Sequence, residues 1–214
     1  MASLTQISDA LQQGKAQDVV SLVQAAIAEG TPPAEILQGL IAGMSVVGDK
    51  FKRSEIYVPE VLIAARAMQA GLGVLEPRLV AAGVKPVAEV LLGTVKGDLH
   101  DIGKNLVSMM LRGAGIKVHD LGIDVSPERF LAEYRDRKGS GLRLVAMSAL
   151  LTTTMQMMKR TIDLFAREGE RDGALFLIGG APVTRAYADE IGADGYAPDA
   201  ASAVDAAKRL LGIA

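Results

Sequence analysis

No cysteine and no tryptophan occur among these 214 residues, and histidines number only two, phenylalanines four and tyrosines four. Without thiols the chain forms neither disulfides nor thiolate metal sites, which agrees with a cytoplasmic setting. Neither His100 nor His119 has companions at the spacing of a zinc site. No apolar run approaches the ~20 residues that cross a bilayer. The start Met1-Ala2-Ser3-Leu4-Thr5-Gln6 has neither a positive n-region nor an apolar h-region. The expectation is a soluble, unexported, cytoplasmic protein with no membrane partner. A formal net charge of -2, with Lys and Arg scattered, leaves no basic stripe for nucleic acid. What is present is an ordinary globular mixture, 50% hydrophobic and 22% charged, sufficient for one or two cores.

From Ser3 to about Ala82 the apolar spacing is helical. Leu4, Ile7 and Leu11 form a first stripe, and Val19, Leu22, Val23, Ala26 and Ile27 a second that Gly30 ends. Pro32 and Pro33 suit the first turn of a third helix that buries Ile36, Leu40, Met44 and Val47. A fourth starts near Pro59 with Val61, Leu62, Ala65, Met68, Leu72 and Leu75, and Pro77 lies near its end. Four helices with short connections predict a small antiparallel bundle. The connection from Gly48 to Glu60 gathers Phe51, Ile56, Tyr57 and Val58 around a polar turn. Aromatics exposed at a bundle's end suggest a contact surface, although closing the bundle core would also use them.

After Ala81-Ala82-Gly83-Val84-Lys85-Pro86 the pattern changes, which divides the chain into 1–84 and 85–214. Strands are expected at Val87 to Val95, Lys117 to Leu121, Leu142 to Met147, Ala174 to Ile178 and, weakly, Asp194 to Ala197. Helices fall between and after them at about 102–113, 127–138, 154–168, 184–191 and 200–211. Alternation of this kind gives an α/β domain, a five-stranded parallel sheet of Rossmann-like or flavodoxin-like type with ligands at the carboxyl ends of its strands.

Those ends hold the informative residues. After the first strand comes Gly97-Asp98-Leu99-His100-Asp101-Ile102-Gly103-Lys104-Asn105. In an extended loop residues two apart share a face, so Asp98 can reach the His100 ring. A carboxylate on one ring nitrogen fixes the tautomer and raises the basicity of the other, the arrangement behind metal-bound histidines. The third strand is followed by Ser148-Ala149-Leu150-Leu151-Thr152-Thr153-Thr154 and the fourth by Gly179-Gly180-Ala181-Pro182. One pocket could collect all three. His119 lies in a strand without a carboxylate at similar spacing and is read as structural. Thr154 suits a helix N-cap as well as a role in the site.

The run Gly97 to Asn105 resembles the cobalamin signature of the methyltransferase corrinoid proteins, the family of the methylamine and methanol corrinoid proteins and the cobalamin module of methionine synthase. The resemblance implies that His100 replaces the cofactor's own benzimidazole beneath cobalt, leaving cobalamin base-off and His-on. Asp98 and a hydroxyl at Thr154, where the family has serine, would then form a proton relay. Proton uptake by this pair as the imidazole leaves would couple ligand release to cobalt reduction or demethylation. Gly97, Asp101, Ile102 and Gly103 would flank the corrin; Ser148, Leu150, Thr152, Gly179 and Gly180 would line the channel for the displaced nucleotide tail. Tyr57 and Val58, with Phe51 and Val61 behind, would cap the upper face.

The implied function is a methyl carrier cycling between Co(I) and methyl-Co(III), holding methylcobalamin or hydroxocobalamin according to state. It would serve a substrate-specific methyltransferase and a second one with a tetrahydrofolate or thiol acceptor, together with a reductive activase, and would not be catalytic without them. Two alternatives share Asp-x-His-x-x-Gly: the cobalamin subunit of an adenosylcobalamin mutase, and a cobalamin-dependent sensor, against which the missing tryptophan counts. A flavodoxin-like domain for FMN is the plainer reading of the same fold.

Overall fold

The computed structural model describes residues 3–213. It divides into two compact units, one running to Pro86 and including Arg112–Gly115, the other comprising Val87–Leu111 and the chain from Ile116 onward.

Four helices make up the first unit: α1 (Leu4–Gln12), α2 (Ala16–Ala28), α3 (Pro33–Lys52) and α4 (Val58–Ala81). Ser3 starts α1 with a reciprocal capping box, its hydroxyl accepting the Gln6 N–H while Gln6 Oε1 accepts the Ser3 N–H. Pro33 opens α3 at a position where no N–H is needed. Helix α1 packs on α3, and α4 on both α2 and α3. Gly71 lets α4 come close to its neighbours, since a Cβ there would stand 2.9 Å from Val19 and 3.0 Å from Leu40. Val61, Ala64, Ala65, Ala67, Met68 and Leu75 bury the inward face of α4. This helix begins one residue before the expected Pro59 and runs through Pro77 to Ala81.

The expectation that nothing here is long and apolar enough to span a bilayer needs correction. Helix α4, 24 residues long, has that length and composition, an 18-residue stretch of it reaching a mean hydropathy of 1.3. Its packing against α2 and α3 is that of a bundle's core helix.

The second unit contains β1 (Ala88–Thr94), α5 (Ile102–Gly113), β2 (Ile116–Asp120), α6 (Pro127–Arg137), β3 (Leu144–Ser148), α7 (Thr152–Arg167), β4 (Leu175–Gly179), α8 (Arg185–Ile191), β5 (Gly195–Ala197) and α9 (Ala200–Leu211). All strand pairs are parallel, and their order is β2-β1-β3-β4-β5, the flavodoxin-like arrangement. Both faces of the sheet are covered, which explains why its central strands β3 and β4 read as continuous apolar runs. Leu91, Val145, Met147, Phe176 and Ile178 face one core with Phe130 of α6 and Phe165 of α7. Val90, Leu92, Leu144, Ala146 and Leu177 face the other with Leu111 of α5 and the alanines of α9. The register aligns Thr94, Ser148, Gly179 and Ala197 in one row, so the loops after β1, β3 and β4 leave the sheet side by side.

Candidate functional site

The loop after β1 turns at Gly97, whose φ of 82° belongs to the left-handed region that glycine enters without penalty. The turn sends Asp98 inward and leaves His100 outward: the Asp98 side chain has 0% exposure and that of His100 has 50%. Asp98 Oδ1 accepts the His100 backbone N–H at 3.1 Å and lies 2.7 Å from His100 Nδ1. Oδ2 accepts from Thr154 Oγ1 at 2.7 Å and from the amides of Leu150 at 2.8 Å and Leu151 at 3.2 Å. The Thr154 hydroxyl has a single proton, and the Leu151 carbonyl at 2.9 Å competes for it. Thr94, fully buried, donates to the His100 carbonyl at 2.8 Å and pins the far side of the loop.

Burial pushes the Asp98 carboxyl upward, but the Leu150 amide, the Thr154 hydroxyl and the His100 ring and amide outweigh it and hold the group well below the usual carboxylate range. An ionised carboxylate only accepts hydrogen bonds, so Nδ1 of His100 carries a proton, and in the neutral ring Nε2 presents a lone pair. The loops leaving this end of the sheet, with the first turn of α5, carry exposed apolar side chains: Leu99, Ile102, Ile123, Leu150 and Leu151. Ile102, at 79% exposure, stands in the first turn of α5 with nothing described to cover it. Beside it a Cβ on Gly103 would meet nothing within 4 Å.

The expected site residues of the second unit gather at this end of the sheet, with differences of detail. Thr154 is not a helix N-cap; α7 starts two residues earlier at Thr152, behind Leu151, which has no side-chain oxygen to cap with. Asp98 substitutes for the missing cap by accepting the amides that lead into the helix. Gly103 is the second residue of α5, and the Asp101 carbonyl accepts the Asn105 N–H at 2.7 Å. Ser148 ends β3, its carbonyl accepting from Val95 N–H at 3.0 Å. Gly179 and Gly180 have a reason within the fold. A Cβ on Gly179 would stand 2.9 Å from the Ala197 carbonyl oxygen, and one on Gly180, where φ is 131°, 1.9 Å from that of Ala149. His119 does have an acid, Glu89 Oε2 of the neighbouring strand at 2.6 Å, which sequence spacing could not reveal. Tyr57 and Val58 lie in the bundle at the start of α4, 67% and 37% exposed, with the Tyr57 N–H bonded to Glu60.

Sequence reasoning missed three contributors: the paired amides of Leu150 and Leu151, Thr94, and Lys104. Lys104 is almost fully buried at 3% exposure, and its ammonium is held by Asp120 at the end of β2 and by Asn105 Oδ1. Its place directly after Gly103 in an apolar-spaced helix was the available signal.

Among the described residues no group of three or more His, Asp or Glu side chains could hold a metal ion. A single bare imidazole nitrogen on an apolar rim suits instead a metal already chelated by a macrocycle and lacking one donor. Its residues thus fit a corrinoid, and a cobalamin-binding domain is the class that the fold and the donor set define.

Comparison with known proteins agrees. The B12 binding domain family matches residues 88–205, and a second B12 binding domain family matches residues 3–76. Dimethylamine corrinoid protein 3 of Methanosarcina acetivorans is 43% identical over 209 residues, 97% of this chain and 96% of that protein. A corrinoid protein of Desulfitobacterium hafniense is 39% identical over 99% of both chains. Among solved structures, the methanol:cobalamin methyltransferase complex of Methanosarcina barkeri superposes with a TM-score of 0.83 at 32% identity, covering 98% of this chain and 79% of that one. A cobalamin-binding protein from Desulfitobacterium hafniense gives 0.79 at 29% identity, covering 97% and 98%. The chain belongs to the methyltransferase corrinoid proteins.

Proposed function

We propose that this protein carries a methyl group on cobalamin between two methyltransferases, with His100 Nε2 serving as lower ligand to cobalt in place of the cofactor's own base. When bound, the corrinoid supplies a cobalt centre that accepts a methyl group from one partner and yields it to the other. The observation that carries the reading is the chain Thr154–Asp98–His100, which aims a bare imidazole nitrogen outward from a buried carboxylate. Asp98 keeps the proton on Nδ1 and strengthens Nε2 as a donor; taking up a second proton at Nε2 would release the ring, with Asp98 stabilising the imidazolium. Thr154 limits how much negative charge Asp98 offers to the ring. Leu99, Ile102 and Gly103 flank the corrin, and Ser148, Leu150 and Thr152 line the channel of the displaced nucleotide tail. Gly179 and Gly180 shape that channel's wall through the close packing of their own strands.

Residues 1–84 would supply a cap for the cofactor, with Tyr57 and Val58 as its candidate residues, and 85–214 the cobalamin-binding domain. The partners are a substrate-specific methyltransferase, a second methyltransferase with a tetrahydrofolate or thiol acceptor, and a reductive activase, all met in the cytoplasm. The names of the relatives, which couple corrinoid proteins to dimethylamine and to a methanol methyltransferase, support this reading. The decisive experiment is the visible spectrum of the hydroxocobalamin-loaded protein. The wild type should show histidine-bound cobalamin, and His100→Ala should lose that signature and retain cofactor less well. An unchanged spectrum in the variant would refute the ligand assignment.

A further inference from the structure

The loop Leu121–Val125, between β2 and α6, lies along the end of β1 and the start of the His100 loop. Leu121 N–H donates to the Leu92 carbonyl at 2.8 Å, Thr94 N–H to Gly122 at 2.9 Å, and Val125 N–H to Thr94 at 2.9 Å. The series ends on Asp124, which makes three contacts at once. Its Oδ1 accepts the Gly97 N–H at 2.7 Å, its Oδ2 takes the Lys96 ammonium at 3.0 Å, and its own N–H donates to the Asp98 carbonyl at 3.1 Å. Asp124 holds a left-handed backbone, φ 54°, one of only two such non-glycine positions among the described residues. Asp tolerates that region better than most residues but not freely. A strained residue at the surface, with every polar group of its side chain and its N–H directed at one three-residue segment, marks a constraint on that segment. The carboxyl is held below its ordinary range, first by the Gly97 N–H and then by Lys96, so the acceptor stays ionised.

We propose that Asp124 is a positioning residue for the proposed cobalt ligand: by gripping Lys96, Gly97 and the Asp98 peptide from the neighbouring loop, it sets the turn that aims the Asp98 carboxylate at His100 Nδ1. The inference rests on the reading of His100 as a ligand only for its consequence; the clamp itself is a property of the cofactor-free chain. Asp98 is anchored from one side by the amides before α7 and by Thr154. Asp124 supplies the opposing anchor, and with both in place the carboxylate has one orientation.

Two substitutions separate the clamp from the backbone strain. D124G removes the carboxylate and relieves the left-handed conformation; D124N keeps an Oδ1 acceptor for Gly97 and gives up the charged acceptor of the exposed Lys96, putting an amide NH2 in its place. Amide hydrogen exchange and the ring-nitrogen spectrum of His100, both by NMR on the full cofactor-free chain, are the readouts. In D124G the Gly97 and His100 amides should exchange at least tenfold faster while those of β1 and β3 are unaltered, and the Nδ1–H tautomer should cease to dominate. D124N should stay near wild type. Unchanged exchange and tautomer in D124G, or acceleration spread evenly over the sheet, overturns the proposal. Loading with hydroxocobalamin adds the consequence: the histidine-bound fraction should fall in D124G and recover in D124N. If the wild type itself shows no histidine-bound spectrum, the ligand reading fails, and the cofactor-free measurements still decide the clamp.

Discussion

Five hydrogen bonds converge on the Asp98 carboxylate, and one of them comes from a side chain, Thr154, that can be altered without touching the backbone. Thr154→Val keeps the shape and removes the donor, so a buried anion loses one partner of Oδ2; the expected destabilisation is about 1–2 kcal/mol by denaturant titration. Thr154→Ser restores the donor and should recover most of that loss. An equal loss in the serine variant would show that the threonine methyl contributes as much as the donated hydrogen bond. Lys104 tests the layer beneath. Lys104→Met removes the cation facing Asp120, and because Asp120 keeps 30% exposure, water compensates in part. The cost should therefore fall below the roughly 3–5 kcal/mol of breaking a fully buried pair, yet be well above the roughly 0–1 kcal/mol of a surface one.

Elements explain where the sequence was legible. Each strand of the sheet was found within two residues: β3, β4 and most of β1, covered on both faces, are apolar runs, whereas the edge strand β2 alternates as Ile116-Lys117-Val118-His119-Asp120. The start of α7 was displaced because the reading sought a capping side chain beside the helix, whereas the oxygen comes from Asp98 across the sheet. The Asp98 to His100 pairing was legible since it is local in sequence; the Glu89 to His119 and Asp124 to Gly97 pairs were not, since strand register creates them. Gly179 and Gly180 have a second reason that the sequence did not show. Glycine pairs at strand ends suggest a ligand against the main chain, and at these two the space a Cβ would take is already closed by the Ala197 and Ala149 carbonyls. Gly180→Ala forces a Cβ into the Ala149 oxygen at a φ no alanine favours, and should cost about 3 kcal/mol or more. A shift of the denaturant midpoint with unchanged slope is the expected result.

At the level of the whole molecule, acid should act through the sheet unit. Asp98 and Glu89 both lie in it, and both carboxyls are held below their ordinary values. For Asp98, burial opposes ionisation and the Leu150 amide and Thr154 overcome it; for Glu89, burial likewise opposes and His119 and Lys117 overcome it. A group with a depressed folded-state pKa contributes stability that is fully present above its unfolded value, near 4, and drains away as pH falls toward the folded value. Below about pH 4 the unfolded chain binds more protons than the folded one, so stability must rise with pH there. Asp98→Asn never carries the charge. Its melting temperature should lie below that of the wild type at pH 6, and the gap should narrow as pH drops from about 4 to 3, remaining open until the folded Asp98 itself takes up a proton. Calorimetry of the full cofactor-free chain at a series of pH values reads this directly, and a gap that stays constant over that window would show that Asp98 stabilises the fold by shape rather than by charge.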